Sequence, residues 1–449
     1  MRKIFQKTGR HFYAILFGED SLERACGEIS DSDCHEKRYN HSLNVANGAV
    51  TKLAEQIAGP NLVLIWLLQV LGSPIWMLGC LVPIKQTFSL LPQMVAAGQI
   101  RRLAIRKWVW VGAAVLQTIC LLLIAFFSTA SSPLVAGLII LALFALFSMA
   151  SGTASIAFQD VIGKTVTKGH RGKLLATRSL IGGILTLVAG SALAQLKGCQ
   201  DPLWTIQMLL ICAASLWTLG AVFFAGIRED SGATSGARNP IAEVMHGSVF
   251  FRQHRGFRHF IYVRTLLLSI ELATPFYFMH ARSLGSIDGS DIGLLVAAIG
   301  FSQLLSSPFW GRMADETSRK VMQYSALIAT AAALIALCLM LIQSAEIQKW
   351  LYLGVFILIG LAESGIRLGR KTYLVDAVPN DERATFAALS NCIIGLLALS
   401  MSAFGLIAQF YGISLLIALL GGLALLATIF CQRLPEADHM LEHTLKSSN

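Results

Sequence analysis

Residues 108–127 read WVWVGAAVLQTICLLLIAFF, and residues 133–157 read PLVAGLIILALFALFSMASGTASIA. Neither stretch contains a charged side chain, and residues 128–132 are all that separates them. A helix needs about 20 apolar residues to cross about 30 Å of hydrocarbon. Every backbone polar group in that layer must be satisfied within the protein, which a helix achieves by itself. The two stretches therefore predict a pair of membrane-spanning helices joined by a short loop.

The same pattern continues along the whole chain. Of its 449 residues, 55% are hydrophobic and 14% are charged, whereas a soluble domain carries about 25% charged residues. Gly59 and Pro60 are expected to kink or break the first segment, because proline interrupts helical hydrogen bonding. We call the apolar segments spans 1 to 12; they lie at 44–72, 74–97, 108–127, 133–157, 173–195, 203–226, 259–280, 289–309, 321–342, 350–369, 384–409 and 412–432.

Lysine and arginine residues fall almost entirely on one side of the predicted membrane. If the amino terminus is cytoplasmic, the cytoplasmic segments carry 28 of the 36 Lys and Arg residues, and the outer loops carry only Lys197, Arg282 and Lys349. Cytoplasmic loops of membrane proteins are enriched in these residues. We therefore predict a multi-pass protein of the cell inner membrane with both termini in the cytoplasm. This topology accounts for the net charge of +10 without a nucleic-acid partner.

The polar stretches divide the chain into five parts. We predict a cytoplasmic tail at 1–42, a first six-helix bundle at 43–226, a central cytoplasmic loop at 227–256, a second six-helix bundle at 257–432 and a cytoplasmic tail at 433–449. Transporter halves often repeat one another weakly, and two landmarks repeat here. Gly98 with Arg106 and Lys107 recurs after 213 residues as Gly311 with Arg319 and Lys320, and Asp160 with Arg171 recurs after about 216 residues as Asp376 with Arg383.

Residues 311–320, GRMADETSRK, resemble the signature loop of the major facilitator superfamily, G-x-L-A-D-[RK]-x-G-[RK]-[RK]. Met313 replaces the leucine, Glu316 the usual base and Ser318 the second glycine, and in the first-half loop Arg102 stands in place of the aspartate. The resemblance implies an all-α membrane protein with twelve transmembrane helices in two pseudo-symmetric six-helix bundles. It also implies a monomer that works as a secondary transporter by alternating access.

The signature loop and its repeats are interpreted as a conformational latch between helix ends. Gly311 would let span 8 approach its neighbour, Asp315 would bind an adjacent helix end, and Arg319 with Lys320 would hold the loop at the cytoplasmic face. The alternative is that these basic residues only set the topology. The candidate latch residues are Gly98, Arg106, Lys107, Asp160, Arg171, Gly311, Asp315, Arg319, Lys320, Asp376 and Arg383.

Charged residues inside the spans are the candidates for a substrate and proton pathway, since such groups cost about 2.5 kcal/mol or more in hydrocarbon. In the resembling family, helices 1, 4, 7 and 10 line the cavity. Lys52 and Glu55, and likewise Glu363 and Arg367, share a helix face and can simply neutralise each other. The candidates are Lys52, Glu55, Lys85, Glu271, Glu363 and Arg367.

Glu271 is the first candidate for proton coupling, because it lies in the middle of span 7 with no base three or four residues away. An inward hydrogen bond to another helix is the structural alternative. Arg178 and Arg264 lie near span ends, and we expect them to reach toward the headgroups.

The expected partners are a small-molecule substrate, protons and membrane lipids. We find no pattern typical of a metal site, a cofactor site or an enzyme active site. A membrane enzyme is accordingly a weaker interpretation than a transporter. A transport-inactive relative that acts as a membrane scaffold or sensor is the second hypothesis. The sequence leaves open the identity of the substrate and the direction of its movement.

Overall fold

The computed structural model describes residues 31–59, 62–100, 102–129, 132–166, 171–195, 201–231, 251, 254–287, 291–378, 383–437 and 440. All regular secondary structure in these ranges is helical, so the all-α prediction is confirmed. Residues 1–30, most of the central loop (232–250) and residues 441–449 lie outside the described ranges.

Each predicted span corresponds to one helix or to a broken helix. Span 1 is formed by two helices, and span 11 by two helices joined by the 3-10 turn Met401–Ala403. The helices are Asp31–Ile57 and Val63–Val70 (span 1), Ile75–Ile100 (2), Lys107–Phe127 (3), Pro133–Thr165 (4), Arg171–Gln195 (5), Pro202–Ala225 (6), Arg255–Ser283 (7), Ile292–Glu316 (8), Ser318–Cys338 (9), Ala345–Ala377 (10), Arg383–Ser400 and Phe404–Tyr411 (11) and Ile413–Arg433 (12).

Four helices extend at least seven residues past their predicted boundaries, and they belong to spans 1, 4, 8 and 10. The first helix begins at Asp31, inside the segment predicted as a tail, and ends at Ile57, so the predicted break near Gly59 is confirmed. Span 10 continues to Ala377 instead of ending at residue 369. Its extra turns carry Arg370 and Lys371, which the apolar pattern had assigned to a loop. The apolar residues of span 10 end near residue 369, but the helix itself continues to Ala377.

Nine helices among the described residues are long and apolar enough to cross a membrane. The helices of spans 1, 7 and 8 do not meet that criterion among the described residues, although Ile292–Ser306 of span 8 forms a shorter apolar helix. Span 1 is broken into two pieces, and span 7 carries Arg258, Arg264 and Glu271. The count of twelve fits the fold, although hydropathy supports nine of the crossings on its own.

The packing of the helices repeats between the two halves of the chain. In the first half, span 6 packs against spans 1 and 3, and span 4 packs against spans 2 and 3. In the second half, span 12 packs against spans 7 and 9, and span 10 packs against spans 8 and 9. Adding six to each span number in the first half gives the matching pair in the second. The halves meet where span 5 packs against span 8 and span 2 against span 11.

Glycines allow close helix contact at both of these junctions. A Cβ atom built on Gly79 of span 2 would lie 2.5 Å from the Cα atom of Gly405 of span 11. A Cβ atom on Gly190 of span 5 would overlap the backbone of Ala297, and one on Gly293 of span 8 would overlap the backbone of Ala194. Side chains at these positions would force the helices apart, so the two halves are held together by backbone-to-backbone packing.

These contacts cluster at one end of the bundle. We call the end at which odd-numbered spans begin the start face, and the other end the opposite face. Gly79 and Gly293 lie at the beginning of even-numbered spans, and Gly405 lies near the end of span 11. All three therefore lie toward the opposite face, where the two halves are in close contact.

We predict that Gly293→Val separates the halves at the opposite face, because the valine side chain would meet the backbone of Ala194. The measurement is the distance between spin labels on the exposed positions Trp204 and Leu341, at the opposite-face ends of spans 6 and 9, in a cysteine-free background. The distribution should shift to longer distances. Gly112→Val is the matched control, since no described atom lies within 4 Å of a Cβ atom there. An unchanged distribution for Gly293→Val would contradict the proposed role of this contact.

Candidate functional site

A polar cavity of about 420 Å³ lies between the two halves. It is lined by residues of spans 1, 2 and 4 from the first half and of spans 7, 8, 10 and 11 from the second. Gln93, Gln159, Lys371 and Asn391 line it, and all four lie in the start-face parts of their helices. The cavity thus extends from the middle of the bundle toward the start face, away from the glycine contacts.

Glu55 of span 1 is the centre of a charge cluster in the first half. Its carboxylate lies 3.2 Å from the Nζ atom of Lys52 and 3.5 Å from the Nζ atom of Lys85 in span 2. The side chains are between one third and two fifths exposed, so water in the cavity also solvates them. The predicted Lys52–Glu55 pair therefore forms, and Lys85 joins it from the neighbouring helix.

Glu271 of span 7 has partners that sequence spacing did not reveal. One carboxylate oxygen lies 3.4 Å from Nη1 of Arg370 in span 10, and the other accepts a hydrogen bond from the side-chain amide of Gln86 in span 2. The carboxylate is 10% exposed. The structural alternative, an inward hydrogen bond to another helix, is therefore present, and a base from span 10 also contacts the carboxylate. Glu271 also joins the two halves, since Gln86 belongs to the first.

Glu363 and Arg367 of span 10 do not form the predicted pair in the described structure. Glu363 accepts a 2.6 Å hydrogen bond from Thr274 of span 7. Arg367 makes a long contact of 3.4 Å with the hydroxyl of Ser364, and its side chain is exposed to the cavity. The two charges thus remain separate groups on the wall of the cavity.

Arg264 and Arg178 are internal, contrary to the expectation that they reach the headgroups. Arg264 is 8% exposed, and it donates to the hydroxyl of Ser390 and, over 2.8 Å, to the amide oxygen of Asn391. Arg178 donates to Asn44 and Asn47 of span 1. Side-chain oxygens on neighbouring helices, together with the backbone carbonyl oxygen of Asn44, thus take the place of water as partners of the two arginines.

At the start face of the first half, Glu229 binds the beginning of span 3. Its side chain is fully buried and accepts the backbone N–H groups of Arg106 and Lys107 over distances of 2.7–3.0 Å. Lys164 of span 4 lies 2.7 Å from the same carboxylate. A carboxylate at a helix amino terminus is favoured by the helix dipole. Glu229, which the sequence analysis did not single out, therefore joins the ends of spans 3, 4 and 6.

Three predicted latch residues, Arg106, Lys107 and Asp160, take part in the same network. Arg106 pairs with Asp160 of span 4 at 3.0 Å. Lys107 donates to the carbonyl oxygens of Ala225 and Ile227 at the end of span 6, over 2.9 and 2.7 Å. These contacts lie within the first half, so they hold three of its helix ends together.

The second half repeats this arrangement with Arg319. Its guanidinium donates to the carbonyl oxygens of Gln432 and Leu434 and pairs with Glu436 at 2.7 Å. The acceptors at 432, 434 and 436 each lie 207 positions after their counterparts at 225, 227 and 229. This is structural support for the internal repeat, and it adds an acidic residue after spans 6 and 12 that sequence comparison of the loops had not revealed.

The remaining latch candidates have fewer described contacts. No described atom lies within 4 Å of a Cβ atom built on Gly311, so this glycine makes no close helix contact with the described residues in the present state. Lys320 and Asp376 are exposed. Gly98, Arg171, Asp315 and Arg383 lie in helices, but their side-chain surroundings lie outside the described part of the chain.

Comparisons with known proteins agree with this architecture. A family model described as Major Facilitator Superfamily matches residues 265–446. The uncharacterized protein Rv2209 of Mycobacterium tuberculosis is 26% identical over 300 residues, which are 64% of this chain and 56% of that protein. The match thus spans little more than half the length of this relative.

Solved structures share the fold over nearly their full length. A point mutant of the nucleoside transporter NupG is 13% identical, with a TM-score of 0.68 over 87% of this chain and 99% of that chain. A D-xylose–proton symporter is 14% identical, with a TM-score of 0.66 over 89% and 98% of the two chains. At such identities the likeness concerns the fold.

We predict that Glu229→Ala destabilises the protein, because it leaves Lys164 and two backbone N–H groups without their carboxylate. Removing one partner of a buried ion pair costs about 3–5 kcal/mol. The midpoint of thermal unfolding in detergent should fall by several degrees.

The neighbouring exposed residue supplies the control for this experiment, since Asp230→Ala removes a carboxylate that is exposed to solvent. Glu436→Ala should have a smaller effect than Glu229→Ala, because the Glu436 side chain is 39% exposed. Equal midpoints for the Glu229 and Asp230 variants would show that the buried carboxylate contributes nothing.

Proposed function

We propose that the chain is a member of the major facilitator superfamily, whose family model matches residues 265–446, and that it is a secondary active transporter that moves a small solute by alternating access. The observation that carries the proposal is the polar cavity between the halves, with Glu55, Glu271 and Glu363 on its walls. Charged groups inside a membrane protein usually mark a substrate or ion pathway. A scaffold has no need for such a cavity, so the geometry favours transport over the second hypothesis.

Alternating access requires contacts that form on one side of the membrane and open on the other. The glycine contacts at the opposite face support a closed outer side, and the cavity extends toward the start face. We propose that the halves, 43–226 and 257–432, rock about the cavity as units. When the start face lies on the cytoplasmic side of the membrane, this arrangement is the inward-facing state.

We further propose that protons drive the transport through Glu271. This carboxylate contacts Arg370 in its own half and Gln86 in the other. A proton on Glu271 would remove the negative charge that attracts Arg370 and would weaken the contact with Gln86. Protonation would thereby change both the charge of the cavity and a contact between the halves, which is what coupling requires.

The test is proton movement in proteoliposomes that contain the purified protein, a pH-sensitive dye and a panel of solutes. We expect a solute to drive proton movement with the wild-type protein, and Glu271→Gln to reduce this movement at least about tenfold while the solute still binds. Glutamine keeps the shape of the side chain but carries no titratable proton.

Glu346→Gln is the matched control, because this carboxylate is exposed in the first turn of span 10. Its proton movement should equal that of the wild type. Normal coupling in Glu271→Gln would assign this residue a structural role. If solute binds and yet none moves with the wild-type protein, the scaffold or sensor hypothesis is favoured.

A further inference from the structure

Positive charge exceeds negative charge on the walls of the cavity. Among the lining residues that the structure describes, five are bases and three are acids. The acids are Glu55, Glu271 and Glu363; the bases are Lys85, Arg264, Arg367, Arg370 and Lys371. A low-dielectric cavity that carries a surplus of one sign attracts ligands of the other sign. The surplus indicates the sign of the ligand's charge, and the pairing of the charged residues indicates where on the wall the ligand binds.

Two of the five bases have an acid as their partner. Lys85 lies beside Glu55, and Arg370 lies beside Glu271. Within the described part of the chain, no carboxylate lies within the 4.0 Å distance of an ion pair from the other three, Arg264, Arg367 and Lys371. Arg367 and Lys371 are one turn apart on the same face of span 10, and both are exposed to the cavity.

Arg264 is the deepest of these three cations. It is 8% exposed, and its partners, Ser390 and Asn391, are both neutral. Its Nε atom is buried and has no hydrogen-bond partner in the described structure. A buried guanidinium with an unused donor is costly unless it meets an anion, and guanidinium groups bind carboxylates and phosphates in a planar, two-pronged geometry.

About half of the remaining lining residues carry uncharged polar side chains, and the others are glycines or apolar residues such as Leu62, Val82 and Ile359. Amide and hydroxyl side chains come from both halves, and Phe356 is the one aromatic residue among the lining residues. The Oε1 atom of Gln303 is buried without a donor, so a ligand hydroxyl group would complete its hydrogen bonding. An apolar or aromatic compound would leave these groups unsatisfied, whereas a compound with hydroxyl groups would use them.

We propose that the cavity binds a small hydrophilic organic anion, and that Arg264 of span 7 together with Arg367 and Lys371 of span 10 holds its carboxylate or phosphate group. The anionic group lies against the second half, and the polar remainder of the ligand reaches toward Gln86, Ser89 and Gln93 of span 2. Movement of this anion across the membrane rests on the proposed transport function; its binding does not.

The test is a binding titration with the purified protein, followed as the rise in the temperature of thermal unfolding. Gluconate, sorbitol and glucamine share one carbon chain and differ in charge, so they form a matched set of anion, neutral compound and cation. Succinate and inorganic phosphate extend the set of anions. All titrations are made at constant ionic strength. We expect the anions to stabilise the protein and sorbitol and glucamine not to do so.

Variants locate the binding site. Arg264→Gln and Lys371→Gln should each weaken anion binding at least about tenfold, which corresponds to about 1.4 kcal/mol. Arg367→Gln offers a further variant that removes a cation exposed to the cavity, in case Arg264→Gln does not fold. Arg255→Gln is the matched control, because Arg255 is an exposed arginine at the beginning of the same helix as Arg264. Anion binding to this variant should equal that of the wild type.

Three outcomes would overturn the inference. In the first, the anions stabilise the protein no more than sorbitol and glucamine do. In the second, the Arg264, Arg367 and Lys371 variants bind anions as the wild type does. In the third, the Arg255 control variant loses anion binding to the same extent. Uptake into proteoliposomes separates this inference from the proposed function. Transport of a neutral or cationic solute without anion binding would contradict this inference and leave the proposed transport function intact. Anion binding without uptake along an imposed gradient would contradict the transport function and leave this inference intact.

Discussion

An ionised side chain in hydrocarbon has no water to solvate it, so the protein itself must supply partners or admit water. Both solutions occur within this bundle. Arg178 is held by the asparagines of span 1, and Glu55 is held by two lysines while the cavity still exposes it. This requirement places the charged residues on helices that face the interior, and the polar cavity follows from it.

The start-face networks obey the same requirement at helix ends. In the first half, Glu229 satisfies the amino terminus of span 3 and Lys107 satisfies carbonyl groups at the end of span 6. In the second half, Arg319 donates to carbonyl groups at the end of span 12, and Glu436 pairs with Arg319. Each half thereby ties its own helix ends together. Because these ties stay within a half, they stiffen the two units without joining them.

Hydrophobicity and charge bias in the sequence were sufficient to predict the helices, the break near Gly59 and the Lys52–Glu55 pair, because these features depend on neighbours along the chain. The spacing of charged residues along the chain did not predict contacts in which the partner lies on another helix. Arg370 meets Glu271 only because spans 7 and 10 pack together, and Arg370 itself was assigned to a loop because the apolar residues end before the helix does. The two carboxylates after spans 6 and 12 were missed for the same reason.

The size of the contact between Glu271 and Gln86 limits what it can do in the proposed transport cycle. A hydrogen bond to a charged group contributes about 1.5–3 kcal/mol, whereas moving a two-state equilibrium from 1:99 to 99:1 needs about 5.5 kcal/mol. Protonation of Glu271 alone would therefore bias the two states without switching them completely. The bound solute and the glycine contacts at the opposite face must supply the remainder, so proton and solute would act together on one equilibrium.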